Sequence, residues 1–485
     1  MPDALDAPYL RRRRALRSHT LTGGLPLVPP EPGANAADAP PLEPASAPGG
    51  SRLGARIDRS LIAGGLLLLF FSDKHRIVAD GIARYASLRL LFEQGTLSDV
   101  PYSMVGPIFA SPLYWLDRYV GPPLWWSERY NSFVFLLGLG LLHRLLRPHL
   151  ESDALRRFLL LLVAASMFGR HQMDFYGEVF SAVLAGASLL SLGAGGSAWA
   201  WPALLLSVAN TPATLVGLGF AALGATVIHR RWRFLGLPLG AAALILAESW
   251  LRRGHPFASG YEGNAGFETV LPYSGLPGFS YPLLLGLLSI LFSFGKGLAF
   301  FAPGLLLPVR ERMVRRAPDL WRGYLLWLFF LAGMVLLYAK WWSWYGGWYW
   351  GPRFFLFASL PASLALAVTL TDRPRGIAAG LFALSVLALS FLVGVTGVVF
   401  DQSGLEGCMA NGFAQEALCW YVPEFSGLFH PFVDARPLVF EDWLLLALTL
   451  AAFVRLAFPL AAETAARSAI AIRDLYRRLL VEIRF

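Results

Sequence analysis

Charged residues are scarce in this sequence. Lysine, arginine, aspartate and glutamate make up 15% of the 485 residues, against about a quarter in an average soluble domain. Hydrophobic residues reach 56% and come in long runs such as Gly380–Phe400. Such a run is too uniform for a helix that keeps one face in water, so a soluble globular fold is excluded. The composition predicts a polytopic integral membrane protein in contact with a lipid bilayer.

The motifs of several enzyme classes are also missing. The chain has no Walker A loop, no Gly-x-Gly-x-x-Gly after a strand, no His-Glu-x-x-His and no Gly-x-Ser-x-Gly. Its eight histidines are scattered, and no group of residues has the spacing of a strong metal site. We therefore expect no ATP site, no metal site and no cofactor, although a divalent metal remains compatible with the sequence.

Cysteine is nearly absent. The two cysteines, Cys408 and Cys419, lie in one polar stretch between the last two apolar runs. Their separation suits a disulfide if that stretch faces an oxidising space. Two unpaired thiols are the alternative, and we favour the disulfide because no metal-type spacing accompanies the pair.

Lysine is rare as well. Three of the 41 basic residues are lysines, and the arginines form short clusters between apolar runs. The formal charge of +9 therefore does not indicate a nucleic-acid partner, because no basic stripe lies on a soluble domain. Clusters placed in this way set membrane topology and attract anionic lipid head groups.

The apolar runs predict an all-α bundle of about twelve transmembrane helices within residues 53–460. The expected spans lie near 57–71, 131–147, 157–170, 176–193, 198–209, 213–228, 235–251, 297–309, 323–340, 354–370, 377–400 and 443–458. A shorter run, 281–292, predicts a re-entrant or outer-leaflet helix. Residues 1–52 read as a disordered cytoplasmic tail, because a basic cluster is followed by a Pro/Ala-rich stretch. Residues 461–485 read as an amphipathic cytoplasmic tail.

Residues 198–228 decide the orientation of everything that follows them. They form either two short spans or one long helix that is kinked at Asn210-Thr211-Pro212. Two spans place most of the 41 basic residues on one side of the membrane, which the positive-inside rule makes the cytoplasmic side. We therefore favour two spans with both termini inside. The outer face then carries a long first loop, 72–130, and a last loop, 401–442.

Two stretches on the predicted outer face begin with unusual polar residues. Asp80-Gly81-Ile82-Ala83-Arg84-Tyr85 opens an amphipathic helix that runs to Gln94. Asp80 is either the N-cap of that helix or a general base whose pKa is tuned by a partly apolar pocket. The second stretch is Gly295–Pro303. Its Lys296 either snorkels at the membrane interface or holds an anion together with a helix N-terminus.

A third stretch, Trp344–Arg353, combines aromatic residues with glycines. An aromatic belt at the membrane interface explains its tryptophans but not its three glycines, which let the backbone approach another group closely. Arg353 either anchors a span at the interface or binds a phosphate, for which the guanidinium fork is well suited. We favour phosphate contact.

Taken together, the three stretches resemble the polytopic GT-C glycosyltransferases of bacteria, in the group of protein-mannosyltransferase-like and aminoarabinose-transferase-like enzymes. In that group an acidic residue stands just before an amphipathic helix in the first outer loop, which matches Asp80-Gly81-x-x-Arg84-Tyr85. Segments of the type Gly-Lys/Arg-Gly-Leu…Pro and Trp-Tyr-Gly-Gly…Gly-Pro-Arg recur too, and here they are Gly295–Pro303 and Trp344–Arg353. The resemblance spans about residues 55–370.

The resemblance implies a GT-C-like fold in a bacterial inner membrane and a hexose or pentose donor carried on polyprenyl phosphate. Asp80 would take the proton from an acceptor hydroxyl at the outer face, with inversion at the sugar. Lys296 and Arg353 would hold the departing lipid phosphate. The acceptor, an envelope glycan, lipid or protein, is not identified. We assign to the substrate pocket Arg84, Tyr85, Arg170, His171, Tyr345 and Tyr349.

The sequence departs from the family pattern in two ways, and two other functions are alternatives to a glycosyltransferase. Many family members have a second acidic residue at the first motif, whereas Gly81 follows Asp80, and Asp73 competes with Asp80 as the base. A transporter or lipid flippase is the main alternative function, and a membrane scaffold is another. Transporters tend to show internal repeats and ionisable groups at mid-membrane depth. We find no convincing repeat, and Glu178 and Glu248 come nearest to such groups.

Overall fold

The structure is a computed structural model that describes residues 52–262, 268–276, 278–402, 404–434 and 436–482. The predicted disordered tail lies outside these residues except for Arg52. The described chain is all-helical, as the sequence predicts, and contains no β-strand, although Arg76 and Asp174 form one isolated bridge.

Twenty-one α-helices follow one another along the described residues. The first ten are α1 Arg52–Phe71, α2 Asp80–Gln94, α3 Val105–Phe109, α4 Ser111–Tyr119, α5 Trp125–Glu128, α6 Tyr130–Leu146, α7 Ser152–Ala164, α8 Phe168–His171, α9 Glu178–Gly193 and α10 Ala200–Asn210. The remainder are α11 Leu215–His229, α12 Gly236–Arg253, α13 Leu283–Phe292, α14 Leu298–Phe301, α15 Arg310–Arg316, α16 Pro318–Tyr338, α17 Ser359–Thr371, α18 Ile377–Val395, α19 Leu405–Phe413, α20 Glu416–Tyr421 and α21 Phe440–Glu482.

Six helical segments of the described chain are long and apolar enough to cross a membrane: Pro212–His229, Trp232–Arg253, Pro318–Tyr338, Arg353–Thr371, Ile377–Phe400 and Phe440–Leu479. The shorter apolar helices are Tyr130–Leu146, Glu178–Gly193, Ala200–Asn210 and Leu283–Phe292. A spanning helix needs about 20 predominantly apolar residues. The chain therefore has the helices of a multi-pass membrane protein.

The chain reverses direction at Thr211-Pro212, between α10 and α11. Asn210 donates a hydrogen bond to the carbonyl of Gly177, which directly precedes α9. At the far end of α11, His229 lies beside Leu192, near the last residue of α9. The turn between α10 and α11 thus lies at the start of α9, and the far end of α11 lies at the end of α9. Residues 198–228 therefore form two separate helices. A single kinked helix, the alternative interpretation, is excluded.

The expected span at 297–309 is not a continuous helix, and that prediction is wrong. Two short helical turns, Leu298–Phe301 and Pro303–Leu306, replace it. Pro303 removes a helical N–H, and a Cβ on Gly304 would collide with the carbonyl of Ala362 on α17. The preceding helix α13 has both ends against neighbouring loops, through Tyr281 N–H to Lys340 O (3.1 Å) and Gly295 N–H to Trp420 O (3.0 Å). Whether α13 is a re-entrant or an outer-leaflet helix stays a prediction.

The ion pairs of the bundle gather at two separate ends. One, the arginine end, contains Asp58 with Arg156 and Arg455, Asp372 with Arg312 and Arg315, and Glu463 with Arg373 and Arg467. The other, the aromatic end, contains the pairs of Asp80, Asp174, Asp401 and Asp442. No ion pair of the described chain joins a residue predicted inside to one predicted outside. The sorting of charge that the sequence predicts is thus present in the fold.

The last helix departs from the expected boundary at residue 460. Helix α21 continues without interruption from Phe440 to Glu482, through Pro459. The predicted C-terminal tail is therefore the extension of the last apolar helix and not a separate element.

Candidate functional site

Asp80 stands at the start of α2, where the backbone is strained. The residue before it, Ala79, has φ 47° and ψ −123°, a conformation that L-residues rarely adopt and that recurs at active sites. No side chain caps the helix, so the alternative interpretation of Asp80 as an N-cap is wrong. Its carboxylate is turned towards neighbouring side chains instead.

Both carboxylate oxygens of Asp80 have partners. The hydroxyl of Tyr102 donates a hydrogen bond to Oδ1 at 2.7 Å, and the Arg353 guanidinium pairs with Oδ2 at 2.8 Å. Burial raises the pKa of Asp80, but the charge of Arg353 and the hydrogen bond from Tyr102 outweigh it and leave the pKa below its ordinary value. The same contact and burial raise the pKa of Tyr102. At neutral pH the carboxylate is ionised and its side chain is a quarter exposed.

Arg353 is held by the glycine-rich stretch that precedes it. Gly346, Gly347 and Gly351 have φ values of 75°, 78° and 67°, which glycine adopts without strain. A Cβ on Gly346 would lie 3.1 Å from the Arg353 side chain, which would have to yield. The guanidinium lies 5.2 Å from the centre of the Tyr176 ring and 4.0 Å from a Glu178 oxygen. It thus stands between two carboxylates.

Arg84 lies one helical turn after Asp80 and completes this side of the site. Its guanidinium hydrogen-bonds weakly to Asn210 Oδ1 (3.4 Å) and lies 5.2 Å from the centre of the Tyr102 ring. A Cβ on Gly177 would lie 2.8 Å from the guanidinium, so a glycine is needed for it to fit. Asn210 also accepts the Gly106 N–H at 3.0 Å. These contacts fix the first loop against α9 and α10.

A small cavity of about 20 Å³ opens next to Arg353. Its polar wall is formed by Glu178, Ser181, Thr211, Thr214 and Arg353, and its apolar wall includes Phe330, Met334 and Phe357. A cavity of this size holds about one water molecule, so a larger ligand would have to displace the side chains that line it. Arg353 and Glu178 line its polar side, and Asp80 contacts Arg353 without lining the cavity.

Lys296 is not placed where the sequence predicts. Its side chain is 1% exposed, and the ammonium donates hydrogen bonds to the carbonyls of Gly347 (3.1 Å), Gly351 (2.9 Å) and Tyr349. All three donor positions of the ammonium are therefore occupied by backbone. The predicted phosphate role of Lys296 is not supported, and its contacts instead fix the loop that carries Arg353.

Tyr345 also lies away from Asp80. Its ring stacks on Trp420, 5.1 Å between centres, beside the loop closed by the Cys408–Cys419 disulfide. Buried Glu416, in the same loop, accepts a hydrogen bond from Trp348 Nε1 at 3.0 Å. The disulfide that the sequence favours is present, and its loop packs on the Trp344–Arg353 stretch. Tyr345 belongs to that packing and not to the predicted substrate pocket.

Arg170, His171 and Tyr349 lie together behind the site. Arg170 pairs with Asp174 (2.7 Å) and Asp401 (2.6 Å), and Arg76 completes a quartet by pairing with the same two carboxylates. The His171 Nδ1–H donates to the Met167 carbonyl at 2.9 Å, and its ring lies against Tyr349. Arg170 and His171 are each 1% exposed. They do not line the cavity, contrary to the predicted substrate pocket.

Tyr85 and Asp73 also lie outside the site. Tyr85 packs on Tyr114 and Phe175 in the small core under the first loop. A residue five positions after Asp80 points to another face of the helix, whereas Arg84, four positions after it, shares its face. Asp73 is exposed and its N–H donates to Glu441 at 3.4 Å. The structure therefore favours Asp80 over Asp73 as the candidate base.

Three residues in or beside the site were not assigned to it from the sequence. Tyr102 and Tyr176 stand in loops rich in aromatic residues and carry no distinguishing signal. Glu178 carried a distinguishing signal, because it is an acidic residue at the edge of a long apolar run. Such a residue is a site candidate by default.

The described residues contain no group of three or more His, Cys, Asp or Glu side chains that could hold a metal ion. The aromatic end thus offers one open, charged and strained site, formed by Asp80, Arg84, Tyr102, Glu178 and Arg353.

No protein-family model, no curated protein and no solved structure matches this chain.

Proposed function

We propose that the protein is a glycosyltransferase of the GT-C kind that takes a hexose or pentose from polyprenyl phosphate. In this proposal about twelve segments cross a bacterial inner membrane, both termini lie in the cytoplasm and the aromatic end faces outward. The separation of the arginine end from the aromatic end supports this orientation, since positive clusters stay inside. An outward-facing site has no nucleotide available, and a lipid-linked sugar meets that condition.

The observation that carries the proposal is the contact between Asp80 and Arg353, 2.8 Å apart beside a cavity with polar and apolar walls. A transfer from a phosphate-linked sugar needs a base for the acceptor and a cation for the phosphate. Asp80 supplies the first and Arg353 the second. The strain at Ala79 is consistent with a position held for chemistry and not for helix stability.

The reaction would be a single displacement at the anomeric carbon. Asp80 takes the proton of the acceptor hydroxyl as its oxygen forms a bond to that carbon. The bond from the anomeric carbon to the phosphate oxygen breaks on the opposite side, and the polyprenyl phosphate leaves with the electron pair. Arg353 stabilises the charge that grows on the phosphate. The product has inverted configuration.

Donor binding would also activate the base. Arg353 pairs with Asp80 and helps to lower the pKa of its carboxylate. A phosphate that draws the guanidinium away removes this effect, and burial then raises the pKa and makes Asp80 a stronger base. The acceptor would thus be deprotonated only when the donor is in place.

Away from the candidate site, the protein has a wholly apolar groove that could contact lipid chains. It has a volume of about 490 Å³ and is lined by residues of α13, α14 and α16, among them Phe292, Leu298 and Leu331. Such a groove is suited to acyl or isoprenoid chains and carries no polar group that could recognise a head group.

The test is sugar transfer in envelope vesicles, which supply the acceptor, from a panel of radiolabelled polyprenyl-phosphate hexoses and pentoses. Wild-type protein should move the label to an acceptor and release polyprenyl phosphate. Asp80→Asn should lower this rate by roughly 10²–10⁴-fold, the range for loss of a general base. Asp73→Asn is the matched control and should keep full activity.

Full transfer by Asp80→Asn contradicts the assignment of the base. Movement of intact donor across the membrane, without release of polyprenyl phosphate, contradicts the transferase and indicates the alternative, a transporter or flippase.

A further inference from the structure

The end of α21 leaves the rest of the protein. The Arg467 guanidinium donates to the carbonyl of Pro374 at 2.5 Å, and beyond this contact every residue from Ala469 to Leu479 is exposed. The helix nevertheless continues to Glu482. An isolated helix of about this length is marginal in water, so its persistence calls for a partner.

The exposed end carries an apolar stripe. Ile472, Leu475, Tyr476 and Leu479 are 67%, 59%, 62% and 47% exposed, and their spacing of three and four residues places them on one helical face. Arg473 and Arg477 lie about 100° or more from the centre of that face. The stripe is therefore an apolar surface with the two arginines outside it, and we call it the seam.

The same face is exposed along the apolar part of α21. Val454 and Phe458 are 51% and 69% exposed. Val454 lies eighteen residues before Ile472, and Phe458 lies eighteen residues before Tyr476, which is five full turns at 3.6 residues per turn. The same face thus continues from the membrane segment into the projecting end, half-buried at Ala461 and Ser468 and exposed on either side of them.

Lipid cannot cover the whole stripe. Helix α21 has no break after Pro459 that would let its end lie flat on a membrane surface. Fifteen residues of straight helix after Arg467 extend about 20 Å beyond the last contact with the bundle. The projecting end therefore faces water, and its apolar seam has to be covered by protein.

We propose that this stripe is a dimerisation surface for a second copy of the chain, with the two α21 helices parallel. Two copies in one membrane present α21 in the same direction, so a parallel pair brings identical seams together. Ser468, Ile472, Leu475 and Leu479 repeat at four, three and four residues, the spacing of a coiled-coil seam, with Ile472 and Leu479 at a and Ser468 and Leu475 at d. The proposal does not depend on the proposed function.

Oxidative cross-linking of the full-length protein in membranes tests this seam. The native cysteines are joined to each other, so an introduced cysteine is the reactive thiol of the described chain. Leu475→Cys, on the seam, should give about tenfold more cross-linked dimer than Arg477→Cys on the far side of the same helix. Equal cross-linking at both positions overturns the proposal.

Subunit counting by single-molecule photobleaching in nanodiscs provides the second measurement. The wild type should count as two copies, and the double variant Leu475→Asp, Leu479→Asp should count as one, since aspartates in facing seams repel. Both leucines are exposed, so the variant should leave the bundle folded. A wild type that counts as one copy overturns the proposal.

Discussion

Two clusters of aspartate and arginine lie close together at the aromatic end, and they differ in burial. In the quartet of Arg76, Arg170, Asp174 and Asp401, the central pair Arg170 and Asp174 is 1% and 0% exposed. In the candidate site, Arg353 and Asp80 are 14% and 25% exposed and stand beside a cavity. The central pair of the quartet is closed off from solvent, whereas the pair in the candidate site is partly exposed.

Two tyrosines form the wall between the clusters. Arg170 lies 4.9 Å from the centre of the Tyr349 ring, and Arg353 lies 5.2 Å from that of Tyr176. The two rings touch edge to face, 5.3 Å apart. Similar ion pairs therefore have different surroundings: the buried pair Arg170–Asp174 fixes the wall, whereas the partly exposed pair Asp80–Arg353 lies beside the small cavity.

The largest expected effect is on folding and falls on the quartet. Asp174→Asn leaves the buried Arg170 with one partner fewer, and breaking a buried pair costs about 3–5 kcal/mol. We expect a large drop in the thermal unfolding temperature in detergent. Asp401→Asn is the control, since Asp401 is 28% exposed and water can replace its charge. Equal unfolding temperatures for wild type and Asp174→Asn would contradict a structural role.

The next effect falls on donor binding. Arg353→Ala removes a charged contact to phosphate that is worth about 1.5–3 kcal/mol, so donor affinity should fall by roughly 10–100-fold. Titration with a polyprenyl-phosphate sugar measures it. Arg89→Ala, an exposed arginine on the same helix as Asp80, should bind donor normally. Unchanged affinity in Arg353→Ala would remove this residue from the site.

A smaller effect concerns pH. The pKa of Asp80 is below its ordinary value, so its ionised form persists at neutral pH and activity should fall as pH drops through that pKa. Tyr102→Phe removes one of the interactions that lower the pKa. The acid limb of the rate profile should move to higher pH, with a rate loss of less than about tenfold at neutral pH. An unmoved acid limb would show that Tyr102 does not act on the base.

The smallest expected effect is a gain in donor affinity and not a loss. Glu178 lies 4.0 Å from Arg353 and competes with a phosphate for it. Glu178→Gln should tighten donor binding by a few-fold, since a partly exposed pair is worth about 1 kcal/mol or less. Ser181→Ala, at the same cavity, keeps the charge and should leave affinity unchanged. Weaker donor binding in Glu178→Gln would instead make this residue part of the recognition of the donor.

Hydropathy and charge clusters predicted the general architecture because both depend on composition. The apolar helices and the separation of two polar ends follow from the cost of placing charge in lipid. The broken segment 298–309 was missed because its residues are as apolar as those of a helix. Pro303 and Gly304 were the signal, and proline or glycine alone does not distinguish a kinked helix from a broken one.

The site was predicted in part. Asp80 and Arg353 were singled out and lie together, although they are far apart in the sequence. Lys296 was misplaced because a lysine near a helix start looks the same whether it faces an anion or backbone carbonyls. Tyr102 pairs with Asp80 through a loop whose path no local pattern determines. Contacts of this kind depend on tertiary packing and not on propensity.

The irregular segment at 298–309 has a consequence for how the protein is made. Backbone that is not helical tolerates membrane depth only where other protein covers it. Here the cover includes α17, against whose Ala362 Gly304 is pressed, and α17 is synthesised later. The segment therefore cannot settle into the bilayer as it leaves the ribosome. Its packing is therefore completed only after α17 has been synthesised, later than that of an ordinary helix at the same place in the chain.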